Sequence, residues 1–520
     1  MALAESITIE APPSGARRPS RKRALAAALS ALCVAGCLVG PNYQKPPVEV
    51  PSGFKEAVDW GRARPDPQAA LSSTWWLAYN DDTLSGLEDK ALKANQSIVA
   101  AEAAYRLAKA TVAANTAQLY PTVTAGLSLT REGGGSNALA VSGGAAASAA
   151  GGGAHSIDIY NANAGVSWEP DLWGQIRRQI ESAKESAQAT DAQLAGERLS
   201  IAATLAIDYF ALRQADIDID LFKQQQRIDA RLLDMTRAAY RQGSASNDAV
   251  LTAQDTLEVV VADLQTTETS REQDEHAIAV LIGVPPADFT LAPSADYAFV
   301  APPTPVELPS QLLERRPDVV TAERTAAAAN AKIGVAVAAF YPVLNLSVEE
   351  GFESTAINKL FSLPSRFWTL GPSLSETVFD GGARTAAVRE ARATYDEDVA
   401  SYRGTVLTAF QDVENSLSSY NHLQQQTQAF ANIYGRNQQL FSTQHQAFLV
   451  GSASEANELI QQLTLLQAEQ SLKDTQSLLT QSSVTLIENL GGGWQWDDVK
   501  NAPLSPAAAP APAQVGTVSP

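Results

Sequence analysis

Cysteine is almost missing from this sequence: its 520 residues include two, Cys33 and Cys37. A disulfide framework and a cysteine-ligated zinc site are therefore excluded. Long hydrophobic runs are missing too. No apolar stretch reaches the ~18 residues that a spanning helix needs, so a polytopic helical membrane protein is ruled out. A membrane β-barrel stays open, because its strands are short and alternate in polarity. Basic charge is scarce: 38 Lys and Arg face 57 Asp and Glu, a net charge of −19. Nucleic acid is no partner for such a chain, since neutralising phosphates needs clustered Lys and Arg. The histidines, His155, His276, His422 and His445, are scattered without metal-ligand spacing. There is no His-Glu-x-x-His, no Gly-Lys-Ser/Thr phosphate loop and no Gly-x-Ser-x-Gly. No enzyme, metal or cofactor is expected.

What is present begins with an export signal. Arg17, Arg18, Arg21, Lys22 and Arg23 form a basic region, and Ala24 to Ala35 a short apolar one. Val34-Ala35-Gly36 then places small residues directly before Cys37, which resembles the lipobox of bacterial lipoproteins. The resemblance implies a signal peptide over 1–36, cleavage before Cys37 and lipidation of that residue, with a lipidated segment over 37–71. A plain secretory signal with an incidental cysteine is the other reading.

The body repeats itself. Gly174 and Gly382, Gly196 and Gly404, Gly243 and Gly451, and Gly283 and Gly491 are each 208 residues apart. Ala239–Ser246 matches Ala447–Ser454 in the same register. This points to a tandem duplication, with one repeat over 72–298 and the other over 299–495. Each repeat has the same grammar. An Ala-rich helix comes first, about 84–118 and 318–339, and stops at Tyr120-Pro121 or Tyr341-Pro342. Two segments of alternating polarity follow: Val123–Thr130 and Tyr160–Trp168 in the first half, Leu344–Glu349 and Trp368–Ser375 in the second. The Gly/Ala/Ser-rich loop from Gly133 to Gly153 is expected to be mobile. Turns at Asp171–Gly174 and Asp380–Gly382 lead into long proline-free stretches, Gln175–Gln242 and Ala383–Val450. Each would make a helix of roughly 100 Å. Heptad seams run through the second stretch, as in Tyr402, Val406, Ala409, Val413 and Ser416, and through the segments after each stretch, as in Val250, Ala253, Leu257, Val260 and Leu264, or Leu465, Leu472, Leu479 and Leu486. Ser246 and Ser454 stand as N-caps where the chain reverses, so the long helices are expected to fold back as hairpins. The Ala/Pro-rich tail, 496–520, is expected to be disordered.

Four amphipathic strands cannot close a barrel alone, and an open edge in lipid leaves backbone groups unpaired at several kcal/mol each. Copies of the chain must therefore complete the wall, with the small polar strand face lining water.

At this point the sequence resembles the TolC-like outer membrane factors, in the lipoprotein branch of multidrug and metal efflux channels. Val39-Gly40-Pro41-Asn42-Tyr43 carries the likeness, as do Trp75-Trp76 with Asn80-Asp81, and Asp171-Leu172-Trp173-Gly174. Leu308-Pro309-Ser310, Leu313 to Asp318, and Leu490-Gly491-Gly492-Gly493-Trp494 complete it. The resemblance implies a fold that is mainly α with a membrane β-barrel portion. Three chains would build a 12-stranded outer-membrane barrel continued by a periplasmic α-helical coiled-coil barrel. It implies an outer membrane efflux channel, a homotrimer, working with a periplasmic adaptor and an inner-membrane RND-type pump. A protein-secretion duct of the same fold is the alternative, and the lipobox and the Gly-Gly-Gly-Trp ending lean toward efflux.

The resemblance also assigns working parts. It puts the turns holding Arg241, Gly243 and Ser244, and Gly451 and Ser452, where the adaptor docks. The second turn has Leu449 where the first has Arg241. Read locally, the same glycines are helix-terminating αL residues. The family closes its tip with aspartates that this sequence lacks. In their place, threefold rings of Asp248, Glu455 and Glu458, with Leu459 or Ile460, are expected at the constriction. First-turn acids favoured by the helix dipole are the plainer reading. Trp168, Trp173 and Trp368 flank the strands, either as an interfacial belt or as packing at the barrel–helix junction.

Overall fold

The computed structural model describes residues 38–57, 73–134, 155–302 and 315–494. The signal segment, Cys37, nearly all of the Gly133–Gly153 loop and the Ala/Pro-rich tail lie outside those residues. Among the described residues no helix is long and apolar enough to cross a membrane.

The first Ala-rich stretch forms two helices rather than one: α1, Asp82–Ala94, and α2, Gln96–Ala117. Asn95 makes the break. Its backbone is extended, and its side-chain oxygen accepts from the N–H groups of Ser97 (2.9 Å) and Ile98 (3.2 Å). One side chain thus ends α1 and caps α2. α1 is capped in turn by Asp81, which accepts from Thr83 N (2.8 Å) and Leu84 N (3.0 Å).

Four strands follow the expected alternation and extend beyond it: β1, Thr122–Gly134; β2, His155–Trp168; β3, Val343–Ser354; and β4, Arg366–Ser375. They form one antiparallel sheet in the order β1-β2-β3-β4, so the two halves of the chain meet at β2–β3. Each strand pair is followed by two long helices. α3, Gln175–Arg241, and α6, Ala383–Leu449, each have 67 residues. α4, Asn247–Leu281, and α7, Glu455–Asn489, each have 35. α5, Pro317–Ala338, precedes β3. Asp171 starts α3 by accepting from Ile176 N (3.1 Å) and Arg177 N (2.9 Å), and Asp380 starts α6 by accepting from Gly382 N (2.9 Å) and Arg384 N (3.1 Å).

The chain packs as two compact units, each drawn from both halves. One, up to Asn42 with Asn115–Ile180 and Ala331–Arg389, holds the sheet. The other, Tyr43–Ala114, Glu181–Asn330 and Glu390 onward, holds most of the helical residues. Its main core gathers Trp75, Trp76 and Tyr79 with Leu84 and Leu87 of α1, Leu205, Tyr209 and Phe210 of α3, Ile278 of α4 and Ile487 of α7. A second core follows the heptad seam of α6, where Tyr402, Val406, Ala409, Val413 and Leu417 pack with Val319 of α5 and Leu486 of α7. A third joins Ile217, Leu221 and Ile228 of α3 to Leu466 of α7.

Candidate functional site

In the sheet unit, the strand register sorts side chains onto two faces, since paired residues point the same way. Val123, Val166, Val348 and Leu370 form one row across all four strands. Leu127, Ala162 and Phe352 form another on the same face. Among the described residues much of this apolar surface is uncovered: Val123 is 73% exposed and Leu127 78%, while Phe361 packs against Phe352. The opposite face is small and polar, with Thr124, Gly165, Glu349 and Thr369 in one row and Ser128, Asn161 and Glu353 in another. Asn163 donates to Glu349 and Ser167 donates to Asn345 (3.3 Å) across strands. An apolar face turned outward and a hydrogen-bonding face turned inward suit a wall between lipid and water. β1 and β4 are the outer strands, and among the described residues no strand pairs with their free edges.

The tryptophans at this sheet divide. Trp168 donates its indole N–H to Leu119 O (3.0 Å), and Trp173 donates to Pro342 O (2.8 Å) and stacks on Tyr341. Both are tied to backbone at the ends of strands. Trp368 lies on the apolar face and is 70% exposed, in the manner of a lipid-facing residue.

In the helical unit, both hairpin turns have one backbone design. Gly243 N donates to Tyr240 O and Ser244 N to Ala239 O, both at 2.9 Å. Gly451 N donates to Phe448 O and Ser452 N to Ala447 O, also at 2.9 Å. These paired bonds make Schellman caps, which need a left-handed residue after the helix, and Gly243 (φ 74°) and Gly451 (φ 76°) supply it. Ser246 and Ser454 then cap the returning helices, accepting from Ala249 N (3.2 Å) and Asn457 N (3.3 Å). Arg241, Gly243, Ser244, Gly451 and Ser452 are all exposed. The two turns thus offer equal backbone but unequal side chains: Arg241 and Gln242 at one, Leu449 and Val450 at the other.

The five constriction candidates have different surroundings. Asp248 is exposed in the first turn of α4. Glu455 takes a two-pronged ion pair from Arg231 of α3 (2.7 and 2.9 Å), whose hydrogen bonds hold its carboxyl below the usual range. Glu458 bonds His445 Nδ1 of α6. Leu459 packs toward Ile217, Leu221 and Ile228, whereas Ile460 is exposed. Arg231 and His445 are the residues that sequence reading missed. The short helix-face spacing of Glu455 and Glu458 gave no sign of them, because each partner sits on a different helix. Among the described residues no group of His, Cys, Asp and Glu is placed to hold a metal ion.

The chain matches the family described as outer membrane efflux protein over residues 87–284 and 308–492. It is 28% identical over 476 residues to the probable efflux pump outer membrane protein TtgC of Pseudomonas putida, covering 91% of this chain and 96% of that one. It is 29% identical to the pyoverdine export outer membrane protein OpmQ of Pseudomonas aeruginosa, with 89% and 97% covered. Among solved structures, it resembles the outer-membrane channel OprN at 27% identity and a TM-score of 0.75, covering 88% of this chain and all of that one. The open state of the Neisseria gonorrhoeae MtrE outer membrane channel is similar at 26% identity and the same TM-score, with 88% and 99% covered.

Proposed function

Since the chain belongs to the outer membrane efflux protein family, we propose how its own residues do that family's work. It is a channel component of an efflux system in the cell outer membrane, not an enzyme. It passively conducts small molecules that an inner-membrane pump and a periplasmic adaptor deliver. The observation that carries this reading is the sheet, with one face apolar and exposed, one face polar, and both edges open. Free edges in lipid cost several kcal/mol for each unpaired group, so β4 of one copy pairs with β1 of the next. Three copies give twelve strands, and the polar face with Glu349 and Glu353 lines the water-filled bore.

At the other end of the hairpins, the turns at Arg241–Ser244 and Leu449–Ser452 receive the adaptor. Asp248, Glu455, Glu458, Leu459 and Ile460 sit at or beside the constriction. Of these carboxylates, Glu455 pairs with Arg231 and Glu458 bonds His445. A lipid on Cys37 adds a second hold on the membrane. The relatives' names span toluene, antibiotics and pyoverdine, cargoes too unlike for one wall chemistry to select. Cargo choice therefore falls to the pump.

Current across a planar bilayer tests the reading. The purified protein gives discrete conductance steps, and Glu455→Gln with Glu458→Gln shifts ion selectivity away from cations. No conductance from correctly assembled protein overturns the channel. Unchanged selectivity in the double variant removes these two carboxylates from the constriction.

A further inference from the structure

On the apolar face of the sheet, the charged strand residues among those described are Arg131, Asp158, Glu350 and Arg366. They form two cross-strand pairs. Arg131 Nε lies 3.3 Å from Asp158 Oδ1, and Arg366 Nε donates to Glu350 Oε1 (2.8 Å). Both arginines stay accessible, with side chains 71% and 52% exposed. Both pairs lie toward the end of the sheet closed by the β3–β4 turn, away from the end where the chain passes into α3 and α6. Arg131 stands eight residues beyond Val123 on β1. That is about 26 Å of extended strand, close to the roughly 25 Å height of a barrel's apolar band. Aromatic side chains mark the same level. Trp368 is two residues from Arg366 on the same face, and Phe361 of the turn packs on Phe352 with ring centroids 5.6 Å apart. Phe361 and Leu363 are 73% and 83% exposed. The other acids at this end, Glu132 and Glu353, alternate onto the polar face. An arginine facing lipid is costly at the bilayer midplane and cheap near its surfaces, so these pairs sit at headgroup depth.

We propose that Arg131 and Arg366, held in place by Asp158 and Glu350, bind the phosphate groups of the glycolipid that forms the outer leaflet of the outer membrane. The inference rests on the channel reading, which puts the helices in the periplasm and the β3–β4 turn at the cell surface. A guanidinium carries five N–H donors in a rigid fork, and one carboxylate engages at most two of them. Each arginine therefore keeps donors for a second anion, and a phosphate matches the fork in charge and in spacing. Asp158 and Glu350 are positioning residues, since each holds its guanidinium against the outward face. Trp368, Phe361 and Leu363 supply the apolar ground for the acyl chains just beneath those phosphates, as aromatic residues do at a membrane boundary. The phosphates thus find fixed cations at their own depth, on a chain whose net charge of −19 would otherwise repel them.

The test titrates full-length, detergent-solubilised protein with two probes, bis-phosphorylated lipid A and the same lipid with both phosphates removed, and counts bound lipid by native mass spectrometry. The parent protein should prefer the phosphorylated lipid by about tenfold. Arg131→Gln with Arg366→Gln should abolish that preference and leave binding of the dephosphorylated lipid unchanged. Arg131→Lys with Arg366→Lys keeps the charge but loses the fork, and should retain part of the preference. This second pair also answers the question if the glutamine variant fails to assemble. Arg106→Gln with Arg436→Gln removes the same charge from exposed helix positions and should change nothing. A parent with no preference overturns the proposal, as does a preference that survives in the glutamine variant or falls equally in the Arg106 and Arg436 variant. Inorganic phosphate that displaces the lipid at equal concentration also overturns it, since the site would then serve a free anion. Conductance steps from the same preparation keep the two readings apart: steps without a phosphate preference sink this proposal alone, whereas correctly assembled protein without steps sinks the channel.

Discussion

Glu88 of α1 is buried beside the main helical core with neither carboxylate oxygen hydrogen-bonded. Burial raises its pKa from 4.5 to about 9, so at neutral pH it is a neutral acid. The folded chain holds a proton that the unfolded chain releases. This group's favourable contribution is therefore complete below about pH 4.5 and is lost as pH rises through about 9. Glu88→Gln removes that slope. Melting curves from pH 5 to 9 should fall with pH for the parent and stay flatter for the variant, and parallel curves would show that Glu88 is ionised in the fold. The caps are simpler. Ser246→Ala and Ser454→Ala each remove one acceptor at a helix start and should cost about 1 kcal/mol in denaturant unfolding. Those two serines were readable from sequence, because a cap and the groups it satisfies lie within three residues. Arg231 was not: it meets Glu455 across 224 residues of chain.

At the scale of elements, helix length and pairing were legible because proline-free runs and heptad seams are local patterns. The α6 seam from Tyr402 to Ser416 is buried as its spacing demands. The break at Asn95 was not legible, since asparagine within an Ala-rich run is tolerated, and its role as a cap depends on its orientation. Also hidden was a polar joint between α3 and α7. Gln214 donates to Asp218 (3.1 Å) and to Asp474 (2.6 Å), while Gln470 donates to Asp218 (3.2 Å). Burial and the neighbouring Asp218 push Asp474 up to about 7, and burial raises Asp218 as well. A raised carboxyl favours the folded state most at low pH, so this joint loosens as pH climbs through about 7. Asp474→Asn should raise the melting temperature at pH 8 and change it little at pH 4. An equal gain at both values would mean that ionisation is not the cause.

For the whole molecule, the alternation of polarity disclosed a sheet that one chain cannot close, and the fold places its first and last strands at open edges. Which faces meet when copies join was not in the pattern, because register between chains leaves no mark within one. The two hairpin turns give a related expectation. Arg241 and Leu449 occupy equivalent backbone positions with different chemistry, so Arg241→Glu should weaken adaptor binding more at low salt than at high salt, whereas Leu449→Ser should weaken it at both. Binding to purified adaptor measured in both salts separates the two. Native mass spectrometry of the detergent-solubilised protein bears most directly on closure by copies. The expected species is a trimer that withstands dilution, with three lipid-bearing chains. A stable monomer with an intact sheet would contradict it.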